Sequence, residues 1–401
     1  MSAQREGGTA VTPHRVLVLG AGYAGMAAAV QLGARLKGRE DVQVTLVNPQ
    51  ERFVERLRLP MTATGQQVEE MHITELLEGT AARFVRGWVT AVDADARLVR
   101  IDDDRELHYD TLVYGLGSVA DTAAVPGAED HAHTLDNVQD VEVLADRLAR
   151  LDRGTVVVGG SGLTGVESAA EIAERYPRLT VVLLGRQEPG AAMAAKPRAY
   201  LRAALERLGV EARVGVAVKV LPDGVELADG ELVAADVVLW TSGTRMSPLA
   251  AAAGLAVDER GRILTDAALR SVSHPQVYAV GDAAAIRQGY GVMHGTCQSG
   301  MPTGVHAALS IVRELNGKQP KPFRFGYYHT PVSLGRRDGV VQFTHPDDSP
   351  RRVHLTGRMA ARYKETVTAS PWPTYRRMKK MPVSGAFWPR GGRFTRSGSA
   401  L

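Results

Sequence analysis

The chain has 401 residues, 44% hydrophobic and 23% charged, with a formal net charge of +4, a composition suited to two or three domains, each with its own core. No apolar run approaches bilayer length and the start MSAQREGGTAVTPHR lacks the apolar centre of a secretion signal, so a cytoplasmic protein is expected. The single cysteine, Cys297, excludes an internal disulfide, a CxxC redox pair and a cysteine-built metal cluster within one chain.

The first dozen residues read as disordered. The stretch RVLVLGAGYAGMAAAVQL then gives a strand, Val16 to Leu19, running into Gly20, Gly22 and Gly25, with Tyr23 and Ala24 opening a helix and Ala29 facing back toward the strand. The glycines permit a tight turn and a close backbone approach, and the free N–H groups at the helix start suit a pyrophosphate. A second strand follows, Val42 to Val47, ending in Asn48. An acid is usual here for the adenosine ribose, and asparagine can still donate and accept without charge.

The pattern returns in TVVVGGSGLTGVESAAEI. Strand Val156 to Val158 leads into Gly160, Gly162 and Gly165, with Leu163 and Thr164 at the helix start and Ala169 at the matching helical position. Its partner strand, TVVLL, ends in Gly185 and Arg186 with no carboxylate. A ribose 2′-phosphate would gain room and a guanidinium there, so NADPH is expected in preference to NADH. Two such loops, each in strand context, are far more specific than one and predict an α/β fold with two Rossmann-like domains.

With both loops read, the chain resembles the two-dinucleotide-binding FAD/NAD(P)H flavoprotein oxidoreductases, the pyridine nucleotide-disulfide oxidoreductase fold. LVYGLGS, containing Gly117, is similar to the crossover leaving the FAD domain, and it follows the Tyr109-Asp110 pair. VVLWTSGTRMSPL, containing Gly243, is similar to the crossover returning from the NAD(P)H domain. VYAVGDAAA resembles the second FAD motif, in which Gly281 and Asp282 hold the ribityl chain. PVSLGRRDGVV and LTGRMAARYK resemble the C-terminal domain of type II NADH dehydrogenases and apoptosis-inducing-factor-like members, extending the likeness from about Arg15 to about Lys364.

The resemblance implies an FAD domain over 13–120 and 256–319, an inserted NAD(P)H domain over 121–255 and a smaller α+β domain over 320–401 with a basic tail. It implies non-covalent FAD held by Gly20, Gly22, Tyr23, Ala24, Gly25, Asn48, Arg56, Val89, Gly117, Gly281, Asp282, Thr296, Cys297 and Gln298. NADPH or NADH would be held by Gly160, Gly162, Leu163, Thr164, Gly165, Glu167, Arg186 and Gly243, with Glu167 positioning the nicotinamide. One loop would keep a flavin and the other admit a nicotinamide, so that hydride transfer needs no side-chain nucleophile. Thr296, Cys297 and Gln298 begin a helix whose N-terminus faces the flavin in the family, favouring its reduced anion; Cys297 itself is expected as a small buried side chain.

Departures from the family narrow the chemistry. The stretch ERFVERLRLPMTATG lacks the cysteine of disulfide, peroxidase and coenzyme A disulfide reductases. Type II NADH dehydrogenases carry two glutamines four apart at their quinone site; Gln298 matches the first, but Pro302 stands at the second. Glu55, Arg56 and Arg58 replace largely apolar residues beside the flavin. The tail ASPWPTYRRMKKMPVSGAFWPRGGRFTRSGSAL is expected to be broken by Pro371, Pro373, Pro382 and Pro389 rather than helical, with Trp372, Tyr375, Phe387 and Trp388 clipping it to the body or resting at a lipid surface. From Arg351 onward, twelve Lys and Arg face only Glu365, a net +11 on a chain whose total is +4, so the remainder is acidic. This patch suits an anionic membrane surface, an acidic electron carrier or polyphosphate, or is simply solvated; nucleic acid is not expected.

The expected function is an FAD-dependent NAD(P)H dehydrogenase that passes electrons to a quinone-like or small conjugated acceptor, cytoplasmic or peripheral at the inner membrane face, with room for a homodimer. The alternatives are a ferredoxin-type carrier reductase, a metabolite-specific flavin oxidase or dehydrogenase, and an NAD(P)H-responsive binding protein. The eleven histidines show no ligand spacing, and no metal is expected.

Overall fold

Runs of valine and leucine buried on both faces mark parallel strands covered by helices on each side. In the computed structural model, which describes residues 12–102 and 104–396, such runs build two sheets with the same winding. The expected disorder of the first dozen residues falls almost wholly outside the described residues. In the first sheet, β1 (His14–Leu19), β2 (Val42–Asn48), β3 (Ala82–Arg86) and β4 (Thr111–Tyr114) are joined by a strand from far downstream, Val277–Ala279, which is β11 in chain order. Their spatial order is β11-β4-β1-β2-β3, all parallel, with Val18 between Leu46 and Val113. The winding reverses between β1 and β4, and ligands of such sheets bind outside the strand ends at that point.

The second sheet takes β6 (Gly154–Gly159), β7 (Leu179–Gly185), β8 (Val210–Val214) and β9 (Val237–Trp240) in the order β8-β7-β6-β9, again parallel. The chain passes between the sheets through β5 (Ser118–Ala120) and returns through β10 (Thr244–Met246). These two crossovers pair antiparallel, Val119 opposite Arg245. The outgoing and returning connections therefore lie side by side, and the first sheet is completed only after the second has been built.

Helix α1 (Tyr23–Arg35) is buried from Ala24 to Gly33. Its small residues allow cover on both sides, by the first sheet and by α4 (Cys297–Glu314). The approach of α4 needs glycine: a Cβ on Gly304 would lie 1.9 Å from the Ala24 carbonyl oxygen. In the second unit α2 (Leu163–Arg175) follows β6, and α3 (Ala195–Arg207) follows β7.

The last part forms an antiparallel meander, β12 (His329–Ser333), β13 (Gly339–Thr344) and β14 (Pro350–Thr356), followed by α5 (Gly357–Ala369) and α6 (Pro371–Lys380). Val332, Leu334 and Val340 join the core of the second unit, with Ile172 and Leu201, while Trp372, Tyr375 and Met378 of α6 join the core of the first. The C-terminal part thus bridges both units. One of the four expected helix breaks does not occur. Helix α5 ends at Ala369, just before Pro371, but Pro371 and Pro373 then lie in the first turn of α6, where a missing N–H forfeits no helical hydrogen bond, so the chain resumes as a helix.

Candidate active site

The two glycine loops have the same local geometry. Gly20 and Gly160 adopt φ of +89° and +130°, in the region that disfavours side chains. A Cβ on Gly25 would lie 1.9 Å from the Gly20 carbonyl oxygen, and one on Gly165 would lie 1.7 Å from that of Gly160. These glycines let helix and strand touch. Gly22 and Gly162 differ: a Cβ on either meets nothing within 4 Å. Each is the N-cap of its helix with no side-chain cap, so first-turn N–H groups face open space beside bare backbone. This is the cradle a pyrophosphate needs, and both loops fit a dinucleotide on that ground.

Asn48 serves the first loop from behind. Its Oδ1 accepts from the Ala21 N–H at 2.9 Å and its Nδ2 donates to the Gln50 carbonyl at 2.9 Å, so the amide is engaged in shaping the loop. At the end of β7, Arg186 is exposed and has neither ion pair nor hydrogen-bond partner among the described residues. Gly281 has φ +64° and its N–H donates to Thr303 of α4 at 2.9 Å, while Asp282 accepts from the Ser118 hydroxyl at 2.8 Å. The second FAD-like motif, the crossover and α4 are thereby locked together.

A cavity of about 520 Å³ opens between the second-loop helix and the start of α4, walled by Leu163, Thr164 and Glu167 of α2 and by Thr296, Cys297 and Gln298 of α4. The C-terminal part closes it with His329 and Lys364, and beyond them Pro371, Met378 and Phe387. Lys364, which sequence reasoning missed, reaches in from α5. Its Nζ lies 2.9 Å from Glu167 Oε1, with both side chains 9% exposed, and the same oxygen accepts from the Ser333 N–H at 2.9 Å. Glu167 therefore ties the second-loop helix to both the C-terminal sheet and helix.

The start of α4 is capped by its own side chains: Thr296 accepts from the Ser299 N–H at 3.1 Å and Ser299 bonds back to the Thr296 N–H at 3.1 Å. Gln298 does not present a free amide to the cavity. Its Nε2 donates to the His329 carbonyl at 3.0 Å and its Oε1 accepts from the Tyr328 N–H at 3.2 Å, binding β12 to α4. Burial raises the Cys297 thiol above its ordinary value, which keeps it protonated, as suits a small packed side chain. The imidazole of His329 shares a 2.7 Å hydrogen bond with the Tyr363 hydroxyl, and burial pushes it down to about 4, so it is neutral.

Other expected residues lie away from the cavity wall. Arg56 donates to the Ser118 carbonyl at 2.9 Å and pairs with Asp136 at 3.2 Å, stapling a crossover. Val89 is buried in the core, in the strand Val89–Asp93. Gly117 and Gly243, with φ of +67° and +75°, turn the two crossovers. Tyr23 is packed edge-on against Phe53 at 5.3 Å, and its hydroxyl is buried without a hydrogen-bond partner among the described residues. Ala24 lies between Gly281 and Gly304. Three tail aromatics clip to the body as expected: Trp372 stacks on Phe53 at 5.9 Å, Tyr375 donates to the Tyr23 carbonyl at 2.9 Å, and Trp388 donates to the Arg324 carbonyl at 2.9 Å. Phe387 does not, being 84% exposed. Among the described residues no group of His, Cys, Asp and Glu is arranged to hold a metal.

Residues 14–309 match the model of the pyridine nucleotide-disulphide oxidoreductases. An NADH dehydrogenase-like protein of Mycobacterium tuberculosis is 31% identical over 380 residues, spanning 88% of this chain and 92% of its own. A type II NADH:quinone oxidoreductase of Staphylococcus aureus is 28% identical over 388 residues, spanning 88% and 94%. Among solved structures, NDH2 from Plasmodium falciparum in complex with NADH superposes with a TM-score of 0.76 at 14% identity, covering 96% of this chain and all of that one.

Proposed function

The chain belongs to the pyridine nucleotide-disulphide oxidoreductase family and is an FAD-dependent NAD(P)H oxidoreductase; on that premise we propose that its electrons leave to a quinone or a similar conjugated carbonyl compound in the cavity beneath the C-terminal helices. The observation that carries this reading is the single cavity onto which the second-loop helix, the start of α4 and the apolar residues of the tail all open. Relatives named type II NADH:quinone oxidoreductases support the same acceptor class. The domains would be those expected from sequence, with the flavin on 13–120 and 256–319 and the nicotinamide on 121–255.

FAD, when bound, supplies the two-electron chemistry by taking a hydride from the nicotinamide and passing its electrons on. Gly22 and the first turn of α1 would hold its pyrophosphate, with Asp282 at the ribityl chain; Gly162 and the first turn of α2 would hold that of the nicotinamide. Leu163 is 42% exposed at the helix start and would offer an apolar surface to the nicotinamide. Arg186 would take a 2′-phosphate. Lys364 places a cation, held by Glu167, at the wall where negative charge develops during transfer. Reducing a quinone with NAD(P)H consumes one proton from solvent.

We also assign the tail a place at an anionic membrane surface. Met381, Val383 and Phe387 are 55%, 64% and 84% exposed, and Arg376, Arg377, Lys379, Lys380 and Arg390 lie around them in the chain. An apolar tip with a basic collar suits the interface. Among the described residues no helix is long and apolar enough to cross a membrane.

Anaerobic mixing with NADPH or NADH, following flavin absorbance near ~450 nm, tests the first half, and addition of a short-chain quinone tests the second. Rapid bleaching and rapid recovery are expected. Bleaching that ferredoxin reverses and quinone does not would overturn the acceptor assignment.

A further inference from the structure

On the outer side of α5, away from Lys364, a second pocket of about 320 Å³ is lined by Arg336 and Arg337 from the turn between β12 and β13, and by Arg358, Arg362 and Glu365 from α5. Positions 358, 362 and 365 share one helical face, so four guanidiniums and one carboxylate converge. The carboxylate is already engaged: Glu365 pairs with Arg58 at 2.7 Å and lies 4.0 Å from Arg336. Arg336 is also 3.6 Å from the buried Glu171. The side chains of Arg337, Arg358 and Arg362 have no ion pair or hydrogen bond among the described residues.

Like charges one helical turn apart destabilise a helix, and facing them with two more arginines adds repulsion that Glu365 and Glu171 offset at Arg336, while Arg337, Arg358 and Arg362 have no acidic partner among the described residues. The scaffold nevertheless holds them firmly. The Arg336 N–H donates to Glu174 at 2.8 Å, and Asp338, directly after Arg337, accepts from Tyr200 at 2.7 Å and pairs with Arg207 at 2.7 Å. The turn is therefore anchored on both sides of its two arginines. The first turn of α5 adds positive potential, since Thr356 at its N-cap makes no side-chain cap bond. Planar guanidiniums on a fixed frame around a concave pocket match phosphate oxygens, which accept forked pairs of N–H bonds.

We propose that the pocket between the β12–β13 turn and the outer face of α5 is a binding site for a phosphate-bearing anion, separate from both dinucleotide loops. The phosphate comes from a free phosphorylated molecule or from a lipid headgroup; the chemistry is the same, and the test separates the sources. An occupant would neutralise Arg337, Arg358 and Arg362, on the helix whose other face carries Lys364 to Glu167.

The test uses the FAD-loaded protein saturated with oxidised nicotinamide, so that both loops are filled, with inorganic pyrophosphate as the probe at constant ionic strength. Thermal unfolding and calorimetric titration should show saturable stabilisation, and the double variant Arg358→Ala/Arg362→Ala should weaken the site by about tenfold or more. The variant should be no less stable than the parent in phosphate-free buffer, because it loses repulsion rather than a contact. Arg337→Ala, on the other wall, should weaken the site in the same direction. If pyrophosphate is silent, but phosphatidylglycerol vesicles bind the parent about tenfold more tightly than the double variant, whose basic tail is intact, while phosphatidylcholine vesicles capture neither, the source is a lipid. Parent and variants that respond alike to both probes, or not at all, overturn the proposal.

Discussion

Lys364 Nζ and Glu167 Oε1, from distant parts of the chain, meet at 2.9 Å in the cavity wall. Each is buried, so neither charge has water to replace its partner. Removing one strands the other, at a cost of about 3–5 kcal/mol, whereas removing both leaves no charge behind. Lys364→Met should therefore lower the unfolding midpoint strongly, and Lys364→Met/Glu167→Gln should recover most of it. If the pair serves transfer as well as packing, the double variant will be stable yet slow in flavin reduction. A double variant as fast as the parent would reduce the pair to a structural role.

The two kinds of glycine in each loop predict opposite failures. Gly165→Ala drives a Cβ into the Gly160 carbonyl, 1.7 Å away, and should destabilise the second unit by about 1–3 kcal/mol. Gly162→Ala meets nothing and sits at φ −69°, ψ −179°, which alanine adopts readily. Its methyl would stand where the pyrophosphate approaches, so the protein should keep its melting temperature and lose about tenfold or more in nicotinamide affinity. Equal nicotinamide binding by Gly162→Ala and the parent would show that the second loop is not the nicotinamide site.

Arg186 is an exposed guanidinium at a strand end with nothing to hold among the described residues. Arg186→Ala should therefore leave stability within about ±0.5 kcal/mol. If the side chain recognises a 2′-phosphate, KM for NADPH will rise about tenfold while KM for NADH stays put. Equal effects on both would refute the assignment, and a parent that prefers NADH outright would do so sooner.

The parts of the fold legible in sequence are those that local spacing encodes. Glycine at three fixed positions after a valine run specifies a turn and a helix start without reference to distant residues, and both loops follow it. The double use of one sheet by two chain segments was accessible only through family resemblance, since nothing local pairs β4 with β11. Lys364 was missed because a lysine in a basic tail looks like any other until the fold brings it to Glu167. The partners of Gln298 were hidden for the converse reason: its amide is complementary to the backbone of Tyr328 and His329, a partnership its sequence neighbours do not announce. Pro371 was legible as the break after α5, but Ser370-Pro371 is also a helix-start signature, and α6 follows it.

Two buried neutral histidines set the acid limit of stability. Burial pushes His306, whose Nε2 donates to the Lys321 carbonyl at 2.9 Å, and His329 down to about 4 from an ordinary value of 6.5. Between those values the unfolded chain takes up protons that the folded protein refuses, so stability falls as pH drops from about 6.5 toward 4 and is insensitive to these groups above that range. Each contributes up to about 3 kcal/mol to the loss. Urea midpoints measured across that window should decline steeply, and His306→Gln, which keeps a donor for Lys321, should flatten part of the decline, His329 and the similarly lowered His133 accounting for the rest. Carboxylates titrate in the lower part of the window in both proteins, so the difference between the two curves isolates the histidine. Parallel curves would mean that His306 already carries its proton in the folded protein, and that the pocket around it is wetter than its packing against Phe323 indicates.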